Sequence, residues 1–450
     1  MVLEGDRIGC GTTSHSTVKV TAGHGTKYSG LARDHGADAA RTYAEANLWG
    51  LAQILRFVDE FEIDCDLEPV DHCVWAESDG EATTLREEMR AELDAGLAPV
   101  GGDELGLPFP VAAAFALEDQ ALFHPKKYLL GLADGLERSG GRIVESTRVH
   151  RVEERGSSHV LETGSGNVEA AHVVLASHAP ITDNGLMFTR YVPRMEYAIA
   201  ARVKAEVPLH AFISAGHPLR SLRPFGSGGD RLLIVVGEGH KVGEKRDTVE
   251  PYRTLAAWTD ERFGVQEIVH RWCTHDLWPV DGIPLMGRME GTERRYVLTG
   301  LGGWGMTNAT AGAAIVQASI QGESHHWEQL FAPSKHHVRG GATTFVKENV
   351  KAVAGHLIGD RLRSHPSQPR DLAPGESGLF QMEGKRVAAY RDGDGTLSAV
   401  SAVCTHVGCI LAWNPAERTW DCPCHGSRFD IHGRVVSAPA TDPLDQIELD

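Results

Sequence analysis

Two short segments rich in cysteine and histidine, near the C-terminus, limit this chain more than any other feature. The first places Cys404 and His406 two residues apart, and the second places Cys422 and His425 three residues apart. Thiolates and imidazoles at such short spacings are typical metal ligands. The two half-sites therefore predict a small domain folded around a metal centre that takes two thiolates and two imidazoles.

Two kinds of metal centre use this set of side chains. A tetrahedral zinc ion can bind two cysteines and two histidines, whereas a Rieske-type [2Fe–2S] cluster takes two cysteines on one iron and two histidines on the other. Zinc does not account for Gly426 and Ser427 after the second half-site, or for one further cysteine in each segment, Cys409 and Cys424. We therefore favour the cluster, whose neutral imidazole ligands raise the reduction potential.

The doubled pattern, C-x-H-x-x-C and C-x-C-H-G-S, resembles the Rieske proteins of the respiratory and photosynthetic cytochrome complexes. The resemblance implies that Cys409 and Cys424 form a disulfide that ties the two ligand loops together. It also implies an electron-transfer centre of high potential, because the Rieske domains of ring-hydroxylating oxygenases usually lack this second pair. We expect both imidazoles to lie at the surface tip of the C-terminal domain.

Length and net charge limit the number of domains and the kinds of binding partner. A chain of 450 residues predicts two or three domains. The formal net charge of −17 argues against nucleic acids and anionic membrane surfaces as partners. We identify no apolar run long enough to span a bilayer and no signal peptide, so we expect a cytoplasmic protein without a transmembrane segment.

The order of predicted elements indicates three parts. Helical patterns at residues 38–59, 125–136 and 307–322, with strand patterns at 168–176 and 295–300, predict an α/β domain. A β-rich middle from 196 to 236 predicts an antiparallel substrate domain inserted into it. We place the boundaries at 1–335 for these two units, 336–374 for a linker with a possible helix, and 375–450 for an all-β Rieske domain.

Several short segments of the first 330 residues follow one another in an order known from one flavoprotein family. They include 2–4, the Gly/Thr/Ser-rich segment 9–16, 124–130, 277–287 and 300–307. In this order they resemble the FAD-dependent oxidoreductases of the D-amino-acid oxidase and glycine/sarcosine oxidase superfamily. The resemblance implies FAD as cofactor and a Rossmann-like α/β domain that an antiparallel substrate domain interrupts.

The same resemblance assigns flavin contacts residue by residue. Glu4 would accept hydrogen bonds from the adenosine ribose, and Lys19 would stabilise the reduced anionic flavin. Amides of residues 302–307, at a helix N-terminus, would face the flavin pyrimidine. The full implied set is Glu4, Thr12, Thr13, Lys19, Val149, Ala176, Gly302, Gly303, Gly305, Met306 and Thr307.

The N-terminal end departs from the family pattern. The family has a strand and a G-x-G-x-x-G turn about 20 residues before the ribose carboxylate, whereas only three residues precede Glu4 here. We expect a truncated flavin domain whose parallel sheet lacks its central strand. Such a chain would bind FAD weakly and aggregate until roughly 30 upstream residues are restored.

Together these patterns predict a redox enzyme that oxidises a small amine or amino acid through FAD and passes electrons singly to the cluster. An acceptor protein or a quinone would then take them. His275, Asp276 and Asp281 are candidate substrate-side groups, and we assign no catalytic base. One alternative is a non-catalytic Rieske electron carrier whose degenerate flavin domain is a docking scaffold. Another is the reductase or ferredoxin of an oxygenase system, which the second cysteine pair and the absence of a recognisable NADH motif disfavour.

Overall fold

The computed structural model describes residues 1–102, 105–182, 187–335 and 368–449. These residues form a mixed α/β N-terminal part and a β-rich C-terminal part. Most of the predicted linker, with its possible helix, lies outside the described residues. None of the described helices is long and apolar enough to cross a bilayer.

All three predicted helices are confirmed with small shifts at their ends. The longest buries one apolar face, and the second begins at a proline, which fits the first helical turn. The helices are α1 (Thr12–His15), α2 (Tyr28–His35), α3 (Ala37–Glu60), α4 (Asp79–Asp94), α5 (Pro125–Arg138), α6 (Glu250–Phe263), α7 (Gly305–Gln321) and α8 (Glu328–Phe331).

Within the described residues of the N-terminal part, the strands belong to four sheets. They are β1 (Val2–Leu3), β2 (Glu68–Ala76), β3 (Val100–Gly101), β4 (Ala113–Leu122), β5 (Ile143–Val144), β6 (Val149–Arg155), β7 (Ser158–Thr163), β8 (Gly166–Ala170), β9 (Val173–Leu175), β10 (Tyr191–Val203), β11 (Ala211–Ser214), β12 (Arg220–Phe225), β13 (Leu232–Lys241), β14 (Val265–Pro279), β15 (Leu285–Arg288) and β16 (Arg295–Thr299).

The largest sheet has eight strands in the order β14-β10-β13-β12-β11-β2-β4-β3. Strand β10 pairs antiparallel with β13 on one side and with β14 on the other, which confirms the predicted antiparallel middle of the chain. A buried apolar cluster joins this sheet to helix α6. The packed sheet therefore fixes the positions of the candidate functional residues on β10 and β14.

Strands β2 and β11 pair in parallel inside the eight-stranded sheet, and the other parallel strands that the structure describes form two separate pairs. Strand β1 pairs with β5, and β9 pairs with β16, which also pairs antiparallel with β15. In the described part of the chain no strand joins the two pairs into one sheet. The carboxyl ends of β9 and β16 lie side by side, so residues after Leu175 and after Thr299 share one edge.

The prediction of one strand over residues 168–176 was wrong. Strand β8 pairs antiparallel with β7, whereas β9 pairs parallel with β16 in a different sheet. The chain leaves the mostly exposed edge strand β8 after Ala170 and enters the core, where Val173 and Leu175 are buried. An apolar run therefore covered two strands with different partners.

The C-terminal part is built from two small antiparallel sheets, as expected for an all-β domain. One contains β17 (Ser377–Met382), β18 (Lys385–Arg391) and β19 (Leu397–Ser401). The other contains β20 (Ala412–Asn414), β21 (Thr419–Asp421), β22 (Arg428–Asp430) and β23 (Val435–Ser437). A shared core that includes Trp420 and Phe429 fixes the loops that carry the cysteines.

Candidate metal centre and flavin site

Two loops of the C-terminal domain carry the predicted metal ligands, and they fold in the same way. In the first, Gly408 N donates to Cys404 O at 3.0 Å; in the second, Gly426 N donates to Cys422 O at 3.0 Å. Both glycines have positive φ, at 78° and 84°, which a residue with a Cβ rarely adopts. The matching turns direct each cysteine and the following histidine to the same side.

The four predicted ligands come together, with like donors paired. The thiols of Cys404 and Cys422 are buried and joined by a hydrogen bond, which lowers the pKa of Cys404 to about 7. The imidazole rings of His406 and His425 lie edge to face with centroids 5.2 Å apart. A centre with two sulfur ligands on one metal and two nitrogen ligands on the other fits this pairing.

The nitrogen atoms of the two imidazoles provide a test of fit. Both Nδ1 atoms are buried and have no hydrogen-bond partner. Buried polar atoms without a partner are rare because desolvation is costly, so these atoms fit ligation to a metal. Burial also lowers the pKa of His406 to about 4 and that of His425 to about 3, which keeps the rings neutral, as ligands must be.

The second cysteine pair forms a disulfide between the loops. The Cα atoms of Cys409 and Cys424 are 6.5 Å apart, within the range that we expect for a disulfide. The sulfur of Cys422 lies within 4.8 Å of both disulfide sulfurs. Because those two sulfurs are bonded to each other, Cys422 is the one of the three that remains available as a thiolate.

The expectation that both imidazoles lie at the surface tip of the C-terminal domain was wrong for His425, which is buried, whereas His406 is half-buried. His425 is only 8% exposed, and the ring of Phe188 covers both histidines, with centroids 5.1 Å from His406 and 4.2 Å from His425. Phe188 belongs to the N-terminal part, on a short 3₁₀ helix, Met187–Arg190, before β10. Both histidines therefore contact the N-terminal part of the chain through Phe188.

Further contacts hold the C-terminal domain in this position. They join the loop before α6, α6 itself, β6 and β14 to the cluster domain. The hydrogen-bonded pairs include Thr248–Asn414 at 2.7 Å, Thr248–Ala416 at 3.1 Å, Tyr252–Glu417 at 2.9 Å, His275–Ser437 at 3.1 Å and His150–Thr441 at 3.3 Å.

Two of the predicted flavin residues, Glu4 and Ala176, lie at the ends of parallel strands, and a third, Val149, begins the antiparallel strand β6. Glu4 follows β1 and accepts a hydrogen bond from Asp6 N at 2.9 Å. Val149 packs against an apolar cluster that includes Leu175 of β9, and Ala176 follows that strand. These positions agree with the edge of a parallel sheet where dinucleotides bind in open α/β folds.

The second group lies on the segment between β1 and α2. Thr12 and Thr13 begin helix α1, and Thr12 Oγ1 donates to His275 O at 3.2 Å. Lys19 donates to Ser221 Oγ, and burial, with Arg223 nearby, lowers the pKa of Lys19 to about 7. The Oγ of Ser14 is buried without a partner.

The third group is the Gly-rich turn that leads into α7. The Gly303 amide donates to the Asp276 carboxylate, and Trp304 stacks on His24 with centroids 4.4 Å apart. Thr307 Oγ1 donates to Thr21 O at 3.3 Å, which brings this turn to the segment that carries Lys19. Gly302, Gly305 and Met306 lie on the same turn and the first turn of α7.

The polar atoms around these groups fit a bound polar cofactor. Besides Ser14 Oγ, both ring nitrogens of His178 and of His72 are buried without hydrogen-bond partners. His178 follows β9 with φ at 64° and lies 3.7 Å from Asp276. The Gly303 amide, in contrast, already has the carboxylate of Asp276 as its acceptor, so its flavin contact stays a prediction.

Sequence reasoning missed two features of the site. Phe188 is a single apolar residue outside any motif, and nothing in its surroundings marks it. Glu196 lies in a bulge of β10, and burial raises its pKa to about 7 although Arg194 Nε is 3.4 Å away. A carboxylate in an otherwise apolar strand is a signal that could have identified Glu196 as a candidate.

Comparison with known proteins agrees with both parts of the chain. Residues 1–318 match the model of the FAD dependent oxidoreductase family, and residues 366–448 match that of the Rieske [2Fe-2S] domain. A Bacillus subtilis protein, YhfW, whose name describes it as a Rieske 2Fe-2S iron-sulfur protein, is 33% identical over 452 residues, which covers 100% of this chain and 89% of that protein.

More distant similarities cover either the C-terminal domain or the N-terminal part. The cytochrome b6-f complex iron-sulfur subunit of Chlorobaculum thiosulfatiphilum is 41% identical over 76 residues, 17% of this chain and 41% of that protein. Glycine oxidase from Geobacillus kaustophilus has a similar fold, with a TM-score of 0.61 and 19% identity, over 74% of this chain and 91% of that chain. The chain belongs to the FAD dependent oxidoreductase family and carries a Rieske [2Fe-2S] domain at its C-terminal end.

Proposed function

We propose that this protein oxidises a small amine or amino acid at its C–N bond and transfers the electrons within the same chain from FAD to the Rieske cluster. The observation that carries the proposal is the position of the ligand histidines, which face the flavin domain through Phe188 at 4.2 and 5.1 Å. A cluster that exchanged electrons only with other proteins would have no need for ligand histidines that contact the N-terminal part of its own chain.

The two cofactors complement each other chemically. FAD, when bound, takes two electrons from a substrate and can release them one at a time, and a [2Fe–2S] centre carries one electron. We assign the cluster to Cys404 and Cys422 on one iron and to His406 and His425 on the other. The disulfide Cys409–Cys424 would hold the two ligand loops together.

For FAD we retain the full set proposed from sequence: Glu4, Thr12, Thr13, Lys19, Val149, Ala176, Gly302, Gly303, Gly305, Met306 and Thr307. The hydrogen bonds Thr12–His275 and Thr307–Thr21 support a single site for the second and third groups. Lys19, held by Ser221 in a buried position, would place a cation where negative charge develops on reduction.

The chain also offers groups for the substrate. Glu196 and Asp276 come from neighbouring strands, β10 and β14, where Arg194 pairs in register with Asp276. A carboxylate with a pKa near 7 can accept a proton from a substrate ammonium group at neutral pH. We propose that Glu196 has this role, which prepares the neutral amine for loss of a hydride from its carbon.

Electrons would leave the cluster on the side of His406. This ring is half-buried, whereas His425 is covered, and His406 borders a shallow crevice with Pro180, Met187 and Pro439. We propose that an acceptor protein or a quinone approaches there.

A second candidate function is a non-catalytic electron carrier with the flavin domain as scaffold. Two observations favour it: in the described chain the parallel pairs β1–β5 and β9–β16 belong to separate sheets, and the Gly303 amide already donates to Asp276. Under this alternative no amine would reduce the protein, although the cluster would still accept electrons from a chemical reductant.

An anaerobic experiment separates the two functions. The FAD- and cluster-loaded protein is mixed with a panel of amino acids and simple secondary amines, while flavin absorbance and the paramagnetic signal of the reduced cluster are recorded. We expect one class of amine to bleach the flavin and then produce the cluster signal. A panel in which no amine bleaches the flavin, with a cluster that dithionite still reduces, would support the carrier instead.

A further inference from the structure

A single strand touches both the cluster loop and the segments that we assign to the flavin. Successive residues of a β-strand point to opposite faces, and in β14 these two residues are His275 and Asp276. His275 faces the C-terminal domain, and Asp276 faces the Gly-rich turn before α7. The two proposed cofactor sites are therefore only one residue apart along this strand.

The contacts of His275 with the cluster domain are close. Its Nδ1 lies 3.1 Å from Ser437 Oγ. Gly426, the neighbour of the ligand His425, packs so tightly that a Cβ there would lie 2.7 Å from His275 Nε2 and 2.5 Å from Pro193 Cβ. His275 is 4% exposed, so this contact excludes water.

The contacts toward the flavin side begin at the same two residues. The backbone oxygen of His275 accepts the hydrogen bond from Thr12, and the carboxylate of Asp276 accepts those from the amides of Gly303 and Leu277. Thr12 and Gly303 come from the two segments proposed to meet FAD. A shift of β14 would therefore change the distance between the cluster loop and the segments proposed to bind FAD.

We propose that His275 is a positioning residue for electron transfer, and that it fixes the cluster loop against the flavin-binding segments through its contacts with Ser437 and Gly426. The inference rests on the proposed transfer from flavin to cluster. It assigns to the pair His275–Ser437 a role that the pairs Thr248–Asn414 and Tyr252–Glu417 do not share, because those two pairs lie on α6 and the loop before it, outside the segments proposed to contact FAD.

Ser437→Ala tests this role, since it removes one hydroxyl and leaves the cluster ligands in place. Ser437→Thr keeps a hydroxyl and serves as the rescue variant. Thr248→Ala is the control: it removes two interdomain hydrogen bonds, one donated to Asn414 Oδ1 and one accepted from Ala416 N, at a position outside the segments assigned to the flavin. A fourth variant, His275→Phe, removes the hydrogen bond and presses a larger ring toward Gly426.

Transfer is followed after a light pulse reduces the flavin of the loaded protein in the presence of a sacrificial donor, so no amine substrate is needed. A failure of amine oxidation therefore leaves this test intact. We expect the rate at which the cluster becomes reduced to fall about fivefold in Ser437→Ala and further in His275→Phe. The rate should recover in Ser437→Thr and stay unchanged in Thr248→Ala, and the reduction potential of the cluster should be equal in all of these proteins.

Hydrogen exchange of residues 422–440 in cluster-loaded protein gives a second readout that does not need the flavin. We expect faster exchange in Ser437→Ala and His275→Phe than in Thr248→Ala. Three outcomes overturn the proposal: no transfer from flavin to cluster in the unaltered protein, equal effects of Ser437→Ala and Thr248→Ala on rate and exchange, or a slower rate that a changed cluster potential accounts for.

Discussion

At the residue scale, the metal centre depends on ligand nitrogen atoms that no hydrogen-bond donor or acceptor competes for. The Nδ1 atoms of His406 and His425 have no hydrogen-bond partner, and burial lowers the pKa of both rings far below neutrality. A metal therefore displaces neither a proton nor a hydrogen bond at these atoms. The two thiols differ from each other, because the hydrogen bond between them lowers the pKa of Cys404 to about 7 and, together with burial, raises the pKa of Cys422.

The disulfide gives the first prediction at this scale. Cys409→Ser should lower cluster retention and reduction potential without abolishing assembly, because the four ligands remain but their loops are no longer linked. Iron content and a redox titration measure both effects. Cys10→Ser, which alters an exposed free cysteine, is the control. Equal retention and potential in the two variants would show that the bond has no role at the cluster.

A second residue-scale prediction concerns Glu92 of α4, which is fully buried with both carboxylate oxygens unpartnered. Burial, and then Glu88, raise its pKa to about 9. The folded protein therefore binds a proton that the unfolded chain releases above pH 4.5, and stability falls as pH rises through this window. Because Glu92→Gln cannot ionise, its stability relative to wild type should rise with pH, by up to about 1.4 kcal/mol per pH unit.

Thermal unfolding at pH 5, 6, 7 and 8 checks the Glu92 prediction. The matched control is Glu87→Gln, an exposed glutamate on the same helix. A constant difference between Glu92→Gln and wild type across this range would mean that Glu92 does not hold its proton in the folded state.

At the element scale, the packing of α3 on α7 determines where the Gly-rich turn lies. Gly50 of α3 meets the backbone of Thr307 so closely that a Cβ would lie 2.4 Å from the Thr307 oxygen. Thr307 belongs to the first turn of α7, which follows the turn that we assign to the flavin. A glycine far from the cofactor in sequence therefore sets the distance between a core helix and the flavin site.

Gly50→Ala should destabilise the protein by about 1–3 kcal/mol and weaken FAD binding, because α7 must move away from α3. Thermal unfolding and FAD titration measure the two effects. Gly30→Ala, within α2 and without a close neighbour, should be neutral or stabilising by about 0.5–1 kcal/mol. If Gly50→Ala were as stable as wild type with unchanged FAD affinity, the close approach of the two helices would not matter.

At the scale of the whole molecule, local patterns and long-range contacts were not equally predictable. Cys404-x-His406 and Cys422-x-x-His425 are local, so their spacing alone indicated the ligand set, and the apolar periodicity of α3 indicated its helix. Strands β8 and β9 could not be distinguished from sequence, because an apolar run does not indicate which strand each of its parts pairs with. The contacts of Phe188 and His275 with the cluster loops join residues more than 150 positions apart, and only the folded chain reveals them.

The central claim is that one chain holds both FAD and a Rieske cluster, with the cluster directed at the flavin domain. The most direct measurement is a combined optical and paramagnetic-resonance spectrum, with metal and sulfide analysis, of protein purified in the presence of FAD. We predict flavin absorbance, two iron atoms and two acid-labile sulfides per chain, and the rhombic signal of a Rieske cluster after reduction. Zinc without sulfide in the C-terminal domain, or a protein that retains the cluster but binds no flavin even at saturating FAD, would contradict the claim.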